Sequence, residues 1–209
     1  MGRLRKGRRD RWSTLQPDMQ PGEREEQMFN QFKARAEGVS AEVHRFSTPT
    51  EALDFLVGFV AAEGVADQPG QYCVFADCPF LAAVDRSRLE AVAGLSFTVS
   101  REQAAGAKVG VSQLDWALAD TGTLVQDATA VDKRLASTLP TIHVALIATS
   151  GLRADMPSWL AEIKPESANY IAMITGPSRT ADIERVLTIG VHGPERLVIV
   201  FIDQLEGAH

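Results

Sequence analysis

YIAMITGPSRTADIERVLTIGVHGPERLVIVFID, residues 170–203, is the stretch on which the fold reading turns. An apolar run leads into a Gly-Pro-Ser-Arg turn, and residues 180–189 then carry charged and apolar positions at helical spacing. Gly190 stops that pattern, Val191-His192-Gly193-Pro194 turns the chain, and Leu197 to Ile202 is apolar at every position. The order strand, turn, helix, turn, strand predicts a compact βαβ unit. A strand apolar on both faces is covered on both faces, which points to a parallel sheet between layers rather than a half-exposed meander.

The same reading extends outward. YCVFA (72–76), LSFTVS (95–100), KVGVS (108–112) and HVALIA (143–148) are further short β-rich runs, and helical segments near 86–93, 129–136, 155–163 and 180–189 lie between them. This alternation predicts an α/β fold: a three-layer, mostly parallel sheet flanked by helices. Upstream, Thr48, Pro49 and Glu51 form a helix start, with a hydroxyl cap, proline at the first helical position and a carboxylate at the third. Leu53, Leu56, Val57 and Val60 then give a core-facing helix to about Glu63. EREEQMFNQFKARAEG (23–38) places Met28, Phe29 and Phe32 on one face among charges, which suggests a surface or docking helix ended by Gly38. The expected organisation is a basic, disordered arm over 1–20, a helix and linker over 21–44 and the α/β domain over 45–209.

Composition limits what such a chain can do. At 209 residues, 45% hydrophobic and 23% charged, it has one ordinary core and is neither disordered nor a coiled coil. No apolar run approaches the roughly 20 residues of a spanning helix, and no apolar stretch follows the basic N-terminus, so the expected location is the cytoplasm. Residues 1–12 hold six Arg or Lys against one Asp, a balance of +5, which leaves −11 of the formal −6 on the remainder. A basic arm could hold a phosphate backbone, but no base-reading motif follows it, so nucleic acid is not the expected partner. Cys73 and Cys78 are too few for a cluster of four thiolates and too far apart for a redox dithiol, so no cofactor of that kind is expected in this chain alone.

Two polar turns carry the chemistry. In a βαβ unit the turn after the first strand opens a cleft into which helix N–H groups point, and Thr175, Gly176, Ser178, Arg179 and Thr180 would add hydroxyls and a cationic fork suited to a carboxylate or phosphate. Ser178 or Thr180 could equally cap the helix, with Arg179 tied to Asp182 or Glu184. Asp120-Thr121-Gly122-Thr123 forms the second turn, where backbone N–H groups would lie between two hydroxyls; Asp120 is a candidate acid–base group or closes an Asx-turn. Arg134 is a substrate clamp or a structural ion pair, and His143, at a strand start, a hydrogen-bonded packing residue or a base. Glu184 and His192 complete the candidate catalytic groups. The four histidines show no metal-ligand spacing, so no metal site is expected.

Ala119-Asp-Thr-Gly-Thr123, Arg134-Leu-Ala-Ser-Thr-Leu-Pro-Thr-Ile-His143, Thr175-Gly-Pro-Ser-Arg-Thr-Ala-Asp-Ile-Glu184 and Gly190-Val-His-Gly-Pro194, taken in order, resemble the lactate utilization protein C (LutC) family, whose shared unit is the LUD domain. The resemblance covers roughly residues 45 to 205 and is densest after residue 110. It implies a fold like that of glucosamine-phosphate deaminases, ribose-phosphate isomerases and CoA transferases. It also implies a part in oxidising L-lactate to pyruvate with two iron–sulfur partner proteins, which would carry the redox centres; whether flavin or nicotinamide takes part is left open. Two roles follow: the two turns bind a small anion such as lactate, with Arg179 on its carboxylate, or the chain is a non-catalytic assembly subunit. An isomerase- or ligase-type enzyme on the same fold is the third.

Overall fold

The computed structural model describes residues 20–163, 168–181, 187–189 and 193–206. In chain order the elements are α1 (Pro21–Gly38), β1 (Glu42–Phe46), α2 (Pro49–Ala62), β2 (Tyr72–Phe75), α3 (Pro79–Ala83), α4 (Ser87–Glu90), β3 (Leu95–Ser96), α5 (Arg101–Ala105), β4 (Ala107–Leu114) and β5 (Trp116–Leu118). There follow β6 (Thr123–Asp127), α6 (Val131–Thr138), β7 (Ile142–Ala148), β8 (Leu152–Arg153), α7 (Met156–Glu162), β9 (Ile171–Ile174), β10 (Arg179–Ala181), β11 (Leu187–Ile189) and β12 (Arg196–Ile202).

Six strands form one fully parallel sheet in the order β1-β12-β7-β4-β2-β3. Strand alternation divides its core in two. Val198, Val200 and Ile202 of β12, with Val144 and Leu146 of β7, face α2, whose Ala52, Leu53, Leu56 and Val60 are buried on them. Leu197, Ile199 and Phe201, with Ala145 and Ile147, face the other way. The α2 start is as its residues predict: Thr48 Oγ1 accepts from Glu51 N at 3.2 Å and the Glu51 carboxylate returns to Thr48 N.

On the second face the structure departs from the expected order. That face is covered by α1 and by a four-stranded sheet, β8-β5-β6-β9, in which β5 pairs antiparallel with β6 and β6 with β9. The run YIAMIT thus belongs to the covering layer, not to the parallel sheet. An apolar run records burial but not the strand it will pair with, because pairing is a long-range choice. On the outer side of this small sheet, Trp159 of α7 is buried against Leu118 and Val125, with Trp116 edge-on at 5.9 Å.

Residues 180–181 and 187–189, the described part of the segment read as a helix, also depart from that reading. Arg179, Thr180 and Ala181 pair antiparallel with Ile189, Thr188 and Leu187. The βαβ unit over 170–203 is therefore a strand of the small sheet, a β-pair and a strand of the parallel sheet. Capping residues followed by mixed charged and apolar positions fit both a short helix and paired strands, and at the described positions tertiary pairing selected strands. The other helical segments form as α4, α6 and α7, whereas LSFTVS pairs only through Leu95–Ser96.

Helix α1 is part of the core. Phe32 and Ala36 have no exposure, and Phe32 meets Phe201 edge-on at 5.0 Å. Burying one such ring stabilises by about 1.5–3 kcal/mol, so the helix is not a loose docking arm. Its start is held by Arg45, which bonds Glu25, Glu26 and Asp203 at 3.1, 2.7 and 2.7 Å. The α/β unit accordingly begins with α1, and a boundary at residue 45 would cut through β1.

Candidate functional site

The two polar turns come together through the small sheet. Because Leu124 of β6 lies opposite Ile174 of β9, the next positions outward, Thr123 and Thr175, are neighbours, and their hydroxyl oxygens are 2.9 Å apart. Gly122 and Gly176 flank this pair, with φ of 67° and 77°. Both press on the end of α1: a Cβ on Gly122 would lie 2.5 Å from Ala36 N, and one on Gly176 would lie 2.8 Å from Val39 O. Only glycine meets both the left-handed backbone and the close approach.

Arg179 reaches the same place. Its Nη2 donates to Val39 O at 2.7 Å and to Ser40 Oγ at 2.9 Å, so Gly176 and Arg179 converge on one carbonyl. The expected tie to Asp182 or Glu184 concerns residues outside the described ones. Among the described residues Nε and Nη1 of Arg179 have no partner, which leaves an anchored cation beside the Thr175-Gly176 turn. Ser178 N donates to Pro194 O at 2.8 Å, and a Cβ on Gly193 would stand 3.1 Å from Ser178 Cβ, so the Gly-Pro-Ser-Arg and His-Gly-Pro turns are in contact. Ser178 and Thr180 begin no helix: Thr180 sits in β10 opposite Thr188.

Other candidates separate from this cluster. Thr121 is exposed at the β5–β6 turn, which closes through Gly122 N to Leu118 O at 3.0 Å rather than through an Asx bond. Asp120 is half-buried with Oδ1 unpartnered among the described residues, while its N–H donates to Ala154 O. Among the described residues Arg134 binds carbonyls and no carboxylate: Nη1 donates to Ala128 O and to Thr129 O, and the guanidinium lies over the Tyr170 ring at 5.6 Å. Glu184 and His192 lie outside the described residues.

Between β4, β6, α6 and β7 runs a buried polar chain that sequence reasoning missed except for one member. Ser137 Oγ donates to Gln126 Oε1 at 3.2 Å, Gln126 Nε2 donates to Ser112 Oγ at 3.0 Å, and Ser112 Oγ lies 2.9 Å from His143 Nε2. Ser112 Oγ has two lone pairs and one hydrogen, so after accepting from Gln126 it can either donate to Nε2 or accept from it, while His143 Nδ1 is buried without a partner among the described residues. Burial pushes the His143 pKa down to about 3, so the ring is neutral. A signal was available: Ser112 and Gln126 are polar positions adjoining apolar ones within strand runs, and a polar residue that is buried needs a partner.

Burial likewise pushes the Cys73 thiol up to about 12 and the Cys78 thiol up to about 11, which makes both poor metal thiolates at neutral pH. Among the described residues no group of three His, Cys, Asp or Glu is arranged to hold a metal, and no helix is long and apolar enough to cross a membrane.

The sequence model of the LUD domain matches residues 29–202. The chain belongs to the LUD domain family. The resemblance to lactate utilization protein C holds as well: proteins of that name are 38% identical over 112 residues in Exiguobacterium sp., 35% over 108 in Halalkalibacterium halodurans and 33% over 107 in Bacillus subtilis. These matches cover 51%, 49% and 48% of this chain and 49%, 47% and 45% of the relatives, so the chain spans about half the length of the curated relatives it matches. The crystal structure of a DUF162 family protein from Deinococcus radiodurans superposes with a TM-score of 0.57 at 19% identity, over 85% of this chain and 98% of that one. At that identity the LUD protein and this neighbour share a fold.

Proposed function

We propose that this LUD chain serves lactate utilization as a subunit of a system that oxidises L-lactate to pyruvate, and that Thr123, Thr175, Gly176, Ser178 and Arg179 bind the small carboxylate. The observation that carries this reading is the convergence of two turns 52 positions apart onto one hydroxyl pair, with Arg179 anchored beside it. A guanidinium held by one nitrogen is already oriented, so little entropy is lost when its free edge takes a carboxylate. The name of the relatives supplies the substrate class. Lactate oxidation releases two electrons and two protons. The electrons pass, in this reading, to iron–sulfur proteins that assemble with the chain, because Cys73 and Cys78 are buried and protonated. Asp120, Glu184 and His192 are the groups proposed to take up the two protons, one from the hydroxyl and one from the C–H bond.

A second reading has its own support. The two bonds from Arg179 to the turn after α1 are what a structural clasp makes, and they favour an assembly subunit. Thermal unfolding of the chain with lactate and pyruvate separates the two. A ligand at 100 times its Kd adds about 2.7 kcal/mol, and the shift should vanish in Arg179→Ala and Thr175→Val. If neither acid shifts the wild type while the chain still assembles with its iron–sulfur partners, the carboxylate reading fails and the assembly reading stands.

A further inference from the structure

We propose that a cavity at the β3 edge of the parallel sheet is a second ligand site, which takes a small organic cation: a primary amine or guanidinium on a short apolar stem. The cavity encloses about 470 Å³, within the range of small-molecule pockets. Asp67, Tyr72, Leu95, Ser96, Glu102 and Gln103 line it, and Val74 supplies the apolar wall on the face shared with Tyr72 and Ser96, whereas the Leu95 side chain packs on the opposite face.

Its walls are built by close backbone contacts. Gly94 has φ of 82°, and a Cβ there would stand 2.2 Å from Ala66 O, so the loop that presents Asp67 sits directly on this glycine. Gly70 N donates to Gly106 O at 2.9 Å, which ties the far end of the loop to the end of α5. A Cβ placed on Gly106 would in turn stand 3.5 Å from the Tyr72 ring. The pocket is thus preformed from the loop, β2, β3 and α5, and a ligand would not have to order it.

The charge of the lining selects the ligand. Asp67 and Glu102 come from separate elements, neither has an ion-pair partner among the described residues, and no Lys, Arg or His lines the cavity. Ser96 Oγ is occupied locally, accepting from Thr98 N at 3.1 Å and donating to Thr98 O at 3.0 Å. Gln103 Oε1 accepts from Ser100 N at 3.3 Å, which leaves its amide N–H groups. Two free carboxylates beside an aromatic ring and an aliphatic wall complement a cationic donor and repel lactate. The site is distinct from the hydroxyl cluster: β1 and β3 are opposite edges of the sheet, five strand spacings or roughly 24 Å apart.

The test is an amide-resolved NMR titration of the full chain with putrescine, agmatine, tyramine and glucosamine, each against sodium chloride of equal ionic strength. The expected result is saturable binding of at least one cation at millimolar concentration or below, with shifts confined to residues 66–72, 94–96 and 101–106. The double variant Asp67→Asn, Glu102→Gln should weaken it at least about tenfold and lower the ligand-free melting temperature by at most about 4 °C, since neither carboxylate has an ion-pair partner among the described residues and Glu102 adds only a first-turn charge to α5. Absence of saturable binding by all four, shifts spread over the surface, or undiminished affinity in the double variant would each overturn the proposal.

Discussion

Replacing Gly122 by alanine tests whether the Asp-Thr-Gly-Thr turn seats α1. Two costs add. An L-residue held at φ of 67° loses about 1–2 kcal/mol to its Cβ. The new methyl would also lie 2.5 Å from Ala36 N and 2.9 Å from Arg35 C, whereas ordinary contact is 3.4–4 Å. Helix α1 must therefore retreat by roughly 1 Å, and it cannot do so freely, because Phe32 and Ala36 are fully buried on the same side of the helix. Overpacking of this kind costs about 1–3 kcal/mol. The sum is about 2–5 kcal/mol, which for a chain of 209 residues lowers Tm by about 4–20 °C. Melting followed by far-UV circular dichroism reads it directly. Gly38→Ala is the matched control: it lies in the same helix, nothing stands within 4 Å of a methyl placed there, and it should be neutral or stabilising by up to about 1 kcal/mol. A Gly122→Ala chain that melts within about 1 °C of the wild type would refute the seating argument. The turn would then have to be explained by ligand binding alone.

Three further outcomes are expected. The His143 pKa lies near 3 in the fold against 6.5 for a free imidazole, so the unfolded chain takes up a proton that the native one refuses. Its contribution is complete above 6.5 and falls by about 1.4 kcal/mol per pH unit on acidification until about 3; urea unfolding of His143→Asn across that range should lack this slope, and equal slopes would exclude it. Cys73 and Cys78, with thiols raised to about 12 and about 11, should resist a thiol reagent in the native chain at neutral pH and react only on unfolding, so rapid native labelling would contradict their burial. Gly58→Ala, inside α2 with nothing within 4 Å, should raise stability by about 0.5–1 kcal/mol in chemical denaturation; a loss would mean that α2 packs more tightly at that point.

The sequence by itself determined the features that rest on neighbouring residues. The Thr48-Pro49-Glu51 start of α2 formed as read, because a cap, a fixed φ and a returning carboxylate are satisfied within four positions. The doubly apolar runs at 143–148 and 197–202 became adjacent central strands of a parallel sheet, because burial on both faces requires a layer on each. The candidate turns were visible as turns from Gly122 and Gly176. Only the tertiary structure decided which strands pair and what the turns touch. Ile171–Ile174 joined the covering sheet, and Arg179–Ala181 paired with Leu187–Ile189 although the stretch carried helix-start residues. Thr123 met Thr175, and Arg179 closed on Val39 and Ser40, across 52 and about 140 positions. Such contacts depend on which surfaces remain open once the core has formed. Local pattern carries the propensity of a segment, whereas its partner is chosen by the burial and hydrogen bonding of the whole chain.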